Sequence, residues 1–139
     1  MHTQEMIATH PQVQGSTNDI LIQAIEGLAD CALTCSSCAD ACLGEPNVAE
    51  LTQCIRLDLD CADVCAATST CATRRTGSNE ALIKAMLELS ADQCEVCAEE
   101  CEQFASSLEH CRICADTCRE CGQTARQAAA SIIPGSGVH

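Results

Sequence analysis

The fold is decided by the stretch CALTCSSCADAC, residues 31–42. Its cysteines stand at positions 31, 35, 38 and 42, so that steps of four and three residues alternate. This alternation places side chains on one stripe of an α-helix, and in a helix bundle that stripe faces the core. At about 1.5 Å of rise per residue, the run extends over roughly 16 Å. The stretch therefore predicts a helix that carries a column of inward-facing thiols.

Three further segments carry cysteines at the same kind of spacing. They lie within residues 54–65, 94–101 and 111–121, and Cys71 falls off the stripe of its segment. In an up-down-up-down bundle, the ends of the first and third helices meet the starts of the second and fourth at one pole. Nearly all thiols then fall in that half of the molecule. The other pole is predicted to be an aliphatic core made by Leu21, Leu28, Ile83, Leu87 and Ile132.

Short breaks of the kind that join antiparallel helices separate the four segments. Gly44 and Pro46 mark the first break, and Asn47 with Glu50 resembles a capping box for the second helix. Gly77 marks the second break. The predicted N-caps of the last two helices are Ser78 and the serine pair Ser106 and Ser107.

We therefore predict an all-α fold, an antiparallel up-down-up-down four-helix bundle with a Cys-lined core. The predicted helices span 17–43, 47–74, 78–104 and 107–131, and the bundle as a whole covers 17–131. Residues 1–16 are an N-terminal extension, with a short helix expected within 3–12. Residues 132–139 are expected to form a flexible tail, and His2, His10 and His139 are expected to be residues of flexible ends.

Composition narrows the function classes. The chain has 139 residues, a size suited to one domain, and it contains 15 cysteines, one aromatic residue (Phe104) and a formal net charge of −13. Such an acidic chain does not suit nucleic acid or an anionic membrane, which need clustered Lys and Arg, but it does suit the handling of cations. The opening residues lack the basic and apolar regions of an export signal, so we expect a cytoplasmic protein whose thiols stay reduced.

The thiol column points to a soft metal. Cysteines three or four residues apart on one helix have Cβ atoms about 5–6 Å apart, too far for a disulfide, while a metal ion bridges their sulfurs comfortably. Cu(I) prefers thiolates and accepts two or three ligands, and capacity would be on the order of 15 ions if each thiolate bridged two of them. An iron–sulfur or zinc–thiolate protein with an electron-transfer or sensing role is the alternative. Zinc is disfavoured because it prefers closed tetrahedral sites with four ligands. An iron–sulfur cluster is disfavoured because the cysteine spacing differs from that of bacterial ferredoxins.

All the cysteines and two other residues are candidate ligands. Asp58 is one, because it falls on the inward stripe. An unpartnered carboxylate in the core would be costly, so either the helix turns Asp58 outward or it faces the metals. His110 is the other, because it lies in the first turn of the fourth helix at the thiol-rich pole. The full predicted set of metal ligands is Cys31, Cys35, Cys38, Cys42, Cys54, Cys61, Cys65, Cys71, Cys94, Cys97, Cys101, Cys111, Cys114, Cys118, Cys121, His110 and Asp58. No catalytic residues are predicted, and we expect a protein that is not an enzyme.

The sequence resembles the bacterial copper storage proteins, over about residues 17–131. The resemblance is carried by CxxxCxxCxxxC at 31–42, CxxxC at 61–65, CxxCxxxC at 94–101 and CxxCxxxCxxC at 111–121. It implies a four-helix bundle that stores or buffers many Cu(I) ions in the cytosol, commonly as a homotetramer, with a His near the mouth available as a ligand. Copper ions are then the principal partner. We expect loading through the open pole, with a copper chaperone as a candidate donor.

Overall fold

The computed structural model describes residues 1–135 of the chain. Five helices make up this part: α1 (Thr3–Ala8), α2 (Asp19–Leu43), α3 (Thr52–Ala72), α4 (Glu80–Glu102) and α5 (Glu109–Ser131), with a single 3-10 turn at Val48–Glu50. The described residues contain no β-strand. The predicted all-α fold with four long helices is confirmed.

The four long helices pack as a ring. Helix α2 lies against α3 and α5, and α4 lies against the same two helices from the other side. Because the connections between consecutive helices are short, neighbours run antiparallel. The thiol-rich ends of all four helices therefore meet at one pole, called here the open pole, and the aliphatic ends meet at the other, the closed pole.

The predicted start of the second long helix is wrong. Residues 48–50 form a 3-10 turn, Asn47 makes no capping bond to the backbone, and its amide donates instead to Glu50 at 3.4 Å. Helix α3 begins only at Thr52, after Leu51, which is fully buried. The reason is that burying the Leu51 side chain fixes the loop more strongly than a local capping box would, since the apolar area removed from water is large.

The last two helices start two residues later than predicted, which is within the usual uncertainty of a helix boundary. Asn79 rather than Ser78 precedes α4, and the Ser78 hydroxyl donates to the Glu80 carboxylate. Leu108 precedes α5 without a side-chain cap, and the Ser107 hydroxyl donates to the carbonyl of Phe104 at 3.3 Å. Neither predicted serine cap therefore forms.

The N-terminal segment covers the closed pole. Ile7 of α1 and Val13 after it are buried, with exposed fractions of 4% and 3%, and both join the main core. The His10 ring pairs through Nε2 with the Thr76 hydroxyl at 3.0 Å, so the expectation that His10 belongs to a flexible end is wrong. The tail prediction for 136–139, including His139, lies outside the described residues.

Helix α2 is long and apolar enough, by length and composition alone, to cross a membrane. It is the one described helix with that property. A helix packed in the core of a bundle passes the same test, and in this structure α2 turns its leucine and cysteine stripe towards the other three long helices.

Candidate metal centre

The inward cysteines form a buried column. Fourteen cysteines are buried, and the most accessible of them, Cys121, exposes 4% of its surface. The predicted stripe is thus seen on all four long helices. Cys71 is half-buried, and its sulfur accepts from the Arg74 guanidinium at 3.6 Å. All fifteen cysteines are free thiols.

Sulfurs from different helices approach closely. The Sγ atoms of Cys35 and Cys118 are 3.4 Å apart, and those of Cys65 and Cys94 are 3.6 Å apart. A disulfide requires about 2.05 Å, so these pairs are thiols in contact. The spacing suits sulfurs that share a metal ion, since zinc–sulfur bonds, for comparison, are about 2.3 Å long.

The ligand atoms fall into overlapping groups, and in each group all the atoms lie within 4.8 Å of one another. Five of the groups are Cys31, Cys65, Cys94 and Cys121; Cys31, Cys35, Cys61 and Cys118; Cys35, Cys97, Cys114 and Cys118; Cys38, Asp58, Cys101 and Cys114; and Cys38, Cys42, His110 and Cys111. Several sulfurs belong to two groups. A closed structural zinc site keeps four ligands to itself. Shared ligands favour a continuous polynuclear cluster of bridging thiolates.

His110 lies at the open pole and faces the thiols. Its Nδ1 is 3.4 Å from Sγ of Cys38 and 3.6 Å from Sγ of Cys111. Its Nε2 lies 3.3 Å from a carboxylate oxygen of Glu45. Donation from Nε2 to that carboxylate leaves the Nδ1 lone pair directed at the sulfurs, as in the carboxylate–histidine pairs of metal sites. Glu45 was not predicted, because its approach depends on how the loop after α2 folds over the pole.

Asp58 is fully buried inside the column. Three thiols donate to its Oδ1, from Cys97 at 3.1 Å, Cys101 at 3.3 Å and Cys114 at 3.4 Å. The sequence left two orientations open for this residue, and the structure places it among the sulfurs. Burial, followed by the nearby charge of Cys114, raises the pKa of Asp58 to about 8.

The thiols of the column carry exchangeable protons. Burial, with the neighbouring Cys54 charge, raises the pKa of Cys42 to about 11. Contact with the Cys101 sulfur, 3.5 Å away, by contrast lowers the pKa of Cys54. A column of this kind contains both proton donors and acceptors, and each monovalent metal ion that binds displaces protons as thiolates form.

A hydroxyl pair lies next to the innermost thiols. The Ser90 hydroxyl donates to Oγ1 of Thr68 at 2.8 Å, and Thr68 in turn donates to the carbonyl of Val64 at 2.8 Å. Both side chains are buried and satisfied, since no buried polar side-chain atom among the described residues lacks a partner. The pair closes the thiol column on the side of the aliphatic pole.

Substituting Asp58 with Asn is expected to change how the stability of the metal-free protein depends on pH. Because the folded-state pKa lies above the ordinary value, folding takes up a proton between about pH 4 and 8. The contribution of Asp58 to the free energy of unfolding is therefore fully present at low pH. It is lost as the pH rises towards 8, by up to about 1.4 kcal/mol per pH unit.

Urea unfolding of the reduced, metal-free protein at pH 5, 6, 7 and 8 measures this effect. The unfolding free energy of the parent should fall over that range, and the Asp58→Asn variant should lose much of the slope while remaining helical. Equal slopes in the two proteins would contradict a protonated carboxyl at this position.

Fold and site together define a class: a helix bundle whose core is a metal-binding thiol column. The family model described as copper storage protein matches residues 17–130. The chain belongs to the copper storage protein family.

Solved structures of copper storage proteins are similar to this chain, and so is a curated cysteine-rich protein. The copper storage protein of Streptomyces lividans, loaded with 10 copper equivalents, is 41% identical with a TM-score of 0.89, over 94% of this chain and 99% of that one. The metal-free copper storage protein 3 of Bacillus subtilis is 34% identical with a TM-score of 0.65, over 76% and 95% of the two chains. The cysteine-rich protein YhjQ of Bacillus subtilis is 38% identical over 71 residues, which is 51% of this chain and 62% of that protein's length.

Proposed function

We propose that this protein stores Cu(I) by binding many ions along its thiol column. The observation that carries the proposal is the overlap of four-ligand groups from the closed end of the column to the open pole, where only His110 is partly exposed. Overlap lets an ion pass from one group to the next by exchanging one thiolate at a time. The net charge of −13 offsets the positive charge that such a load brings.

The proposed ligands are the fourteen buried cysteines, His110 and Asp58, with Cys71 as an accessory ligand outside the column. We assign His110 a role at the mouth, because it lies with Cys38, Cys42 and Cys111 in the outermost group. We assign Asp58 the role of an internal oxygen ligand, because it contacts thiols from two other helices. No catalytic step is part of this proposal.

The proposed setting is the cytosol, where thiols stay reduced. A copper chaperone is the proposed donor at the open pole. A homotetramer is the proposed assembly, and an apolar stripe at heptad spacing on α4 supports it: Leu82, Leu89 and Val96 expose 63%, 56% and 47% of their surface. Such a stripe on a helix that is otherwise packed suits contact with a second copy.

Competition between metals tests the identity of the cargo. The reduced protein, first loaded with Zn²⁺, should release all of it when Cu(I) is added, because two- and three-coordinate Cu(I) can use shared thiolates that tetrahedral zinc cannot. Released zinc is followed with a coloured chelator, and bound copper is measured by elemental analysis after gel filtration. Retention of one tightly held zinc ion per chain in the presence of excess Cu(I) would favour the zinc–thiolate alternative.

A further inference from the structure

A polar groove opens on the side of the bundle between α2 and α5. Its volume is about 210 Å³, and Gly27, Asp30, Glu120 and Cys121 are among the residues that line it. This volume is below the roughly 300–1,000 Å³ of ordinary small-molecule pockets. The groove therefore suits an ion with a few small ligands better than an organic substrate.

The floor of the groove reaches the closed end of the thiol column. Cys121 lines the groove and is the most accessible cysteine of the column. It belongs to the group of Cys31, Cys65 and Cys94, and it lies ten residues along α5 from Cys111 at the open pole. At about 1.5 Å per residue the two cysteines are roughly 15 Å apart along the helix. The groove thus approaches the part of the column that is farthest from the mouth.

Two glycines explain why the groove is open. A Cβ atom added to Gly27 would meet nothing within 4 Å, so the wall of α2 is missing a side chain at this point. On the far side of α5, a Cβ atom on Gly122 would lie 3.5 Å from the carbonyl oxygen of Ala91 and from Cβ of Cys94. Helix α5 therefore sits close to α4, while its seam with α2 is left partly unfilled.

The groove carries negative charge that no cation neutralises. Asp30 and Glu120 are both exposed, and within residues 1–135 neither side chain has an ion-pair or hydrogen-bond partner. Two carboxylates that line a narrow opening raise the local concentration of cations and their rate of arrival. A thiol at the floor of the groove then supplies the soft ligand that selects Cu(I) among those cations.

We propose that this groove is a lateral opening through which Cu(I) reaches and leaves the closed end of the column, separate from the open pole. The inference rests on the proposed storage function. In loading, Cu(I) exchanges a ligand of its carrier for the sulfur of Cys121, and the thiol proton passes to water. Release is the reverse, and copper keeps its oxidation state throughout.

Gly27→Leu is the test variant, because Gly27 is half-buried in the groove wall and an added Cβ atom would meet nothing within 4 Å, so the side chain would fill the groove. Gly27→Ala is the matched control, since it raises helix propensity in the same direction but adds one methyl group. Reduced apo-protein receives one equivalent of Cu(I) from a weak chelator, and at set times the folded protein is alkylated with iodoacetamide beside a metal-free sample of the same variant. Protection then means the loss of alkylation that copper causes, and the reagent's own access to each thiol cancels. Peptide mapping then reports the protection of Cys121 and, as an internal control at the open pole, of Cys38.

In the parent and in Gly27→Ala, protection of Cys121 should appear as early as protection of Cys38. In Gly27→Leu, protection of Cys121 should be delayed about fivefold or more, while Cys38 is unchanged. If Gly27→Leu does not fold, the paired variant Asp30→Asn with Glu120→Gln should give a similar delay and a weaker dependence on salt.

Equal rates of Cys121 protection in Gly27→Leu and Gly27→Ala would overturn the lateral opening, as would Cys121 protection that always follows that of Cys38. Total capacity, measured on the same samples with excess Cu(I), reports on storage independently. Binding of many equivalents of Cu(I), with equal rates of Cys121 protection in the two variants, would reject the lateral opening and leave storage intact. Binding of only one or two equivalents would reject storage, whatever the rates of protection.

Discussion

Replacing the four cysteines of α5 with serine is expected to lower Cu(I) capacity to less than half of the parent value. Each of the five groups described above includes one or two of Cys111, Cys114, Cys118 and Cys121. The variant therefore damages every group, although it keeps eleven of the fifteen thiols. If ions bound to isolated thiols, capacity would fall only in proportion to the cysteines removed.

Capacity is measured by adding excess Cu(I) to the reduced protein, removing unbound metal by gel filtration and determining copper per chain. Cys71→Ser is the control, because the Cys71 sulfur lies off the column. This substitution should lower the copper capacity by at most one ion per chain. Serine nearly preserves volume, but a buried hydroxyl needs a partner, so an alanine set serves if the serine variant unfolds. A proportional loss in a fully helical variant would contradict bridging clusters.

Loading the protein with Cu(I) is expected to raise its thermal unfolding midpoint by more than ten degrees. A ligand that binds only the folded state at a hundredfold excess over its Kd adds about 2.7 kcal/mol per site. Each kcal/mol shifts the midpoint of a domain of this size by roughly 2–4 °C. Several ions that cross-link four helices therefore produce a large combined shift.

Circular dichroism melts of metal-free and loaded protein, both under anaerobic conditions, measure this shift. Removing copper with a strong chelator should return the midpoint to the metal-free value, which controls for irreversible change. The serine variant of α5 should show a much smaller rise. A midpoint that hardly moves on full loading would mean that the ions bind outside the folded column or equally well to the unfolded chain.

The column could be predicted from sequence because a helical stripe is a local, periodic property. Steps of three and four along 31–42 and 111–121 place the sulfurs on one side of each helix whatever the neighbouring helices are. The stripe of α3 that bears Cys54 and Asp58 was predicted on the same basis, although spacing alone left open whether Asp58 faces the column or is turned outward. What failed were the start near 47, because burial of Leu51 outweighed local capping, and the serine caps predicted for the last two helices.

The contacts between helices could not be predicted. Which thiols meet Asp58 depends on the rotation and height of α4 and α5 relative to α3, and spacing within one helix contains no information about either. The pairing of His110 with Glu45 likewise requires the loop to fold over the pole. The groove at Cys121 is a property of two helices at once, and Gly27 alone gives no indication of it.

The central claim, a preformed store for many Cu(I) ions, is tested most directly by anaerobic titration of the reduced protein with Cu(I) in the presence of a competing chelator. Thiolate-to-copper absorption in the ultraviolet reports binding, and far-ultraviolet circular dichroism reports the helices. We predict saturation on the order of 15 ions per chain with helicity unchanged. Saturation at one or two ions would contradict storage and would indicate a chaperone, a sensor or a site for another metal.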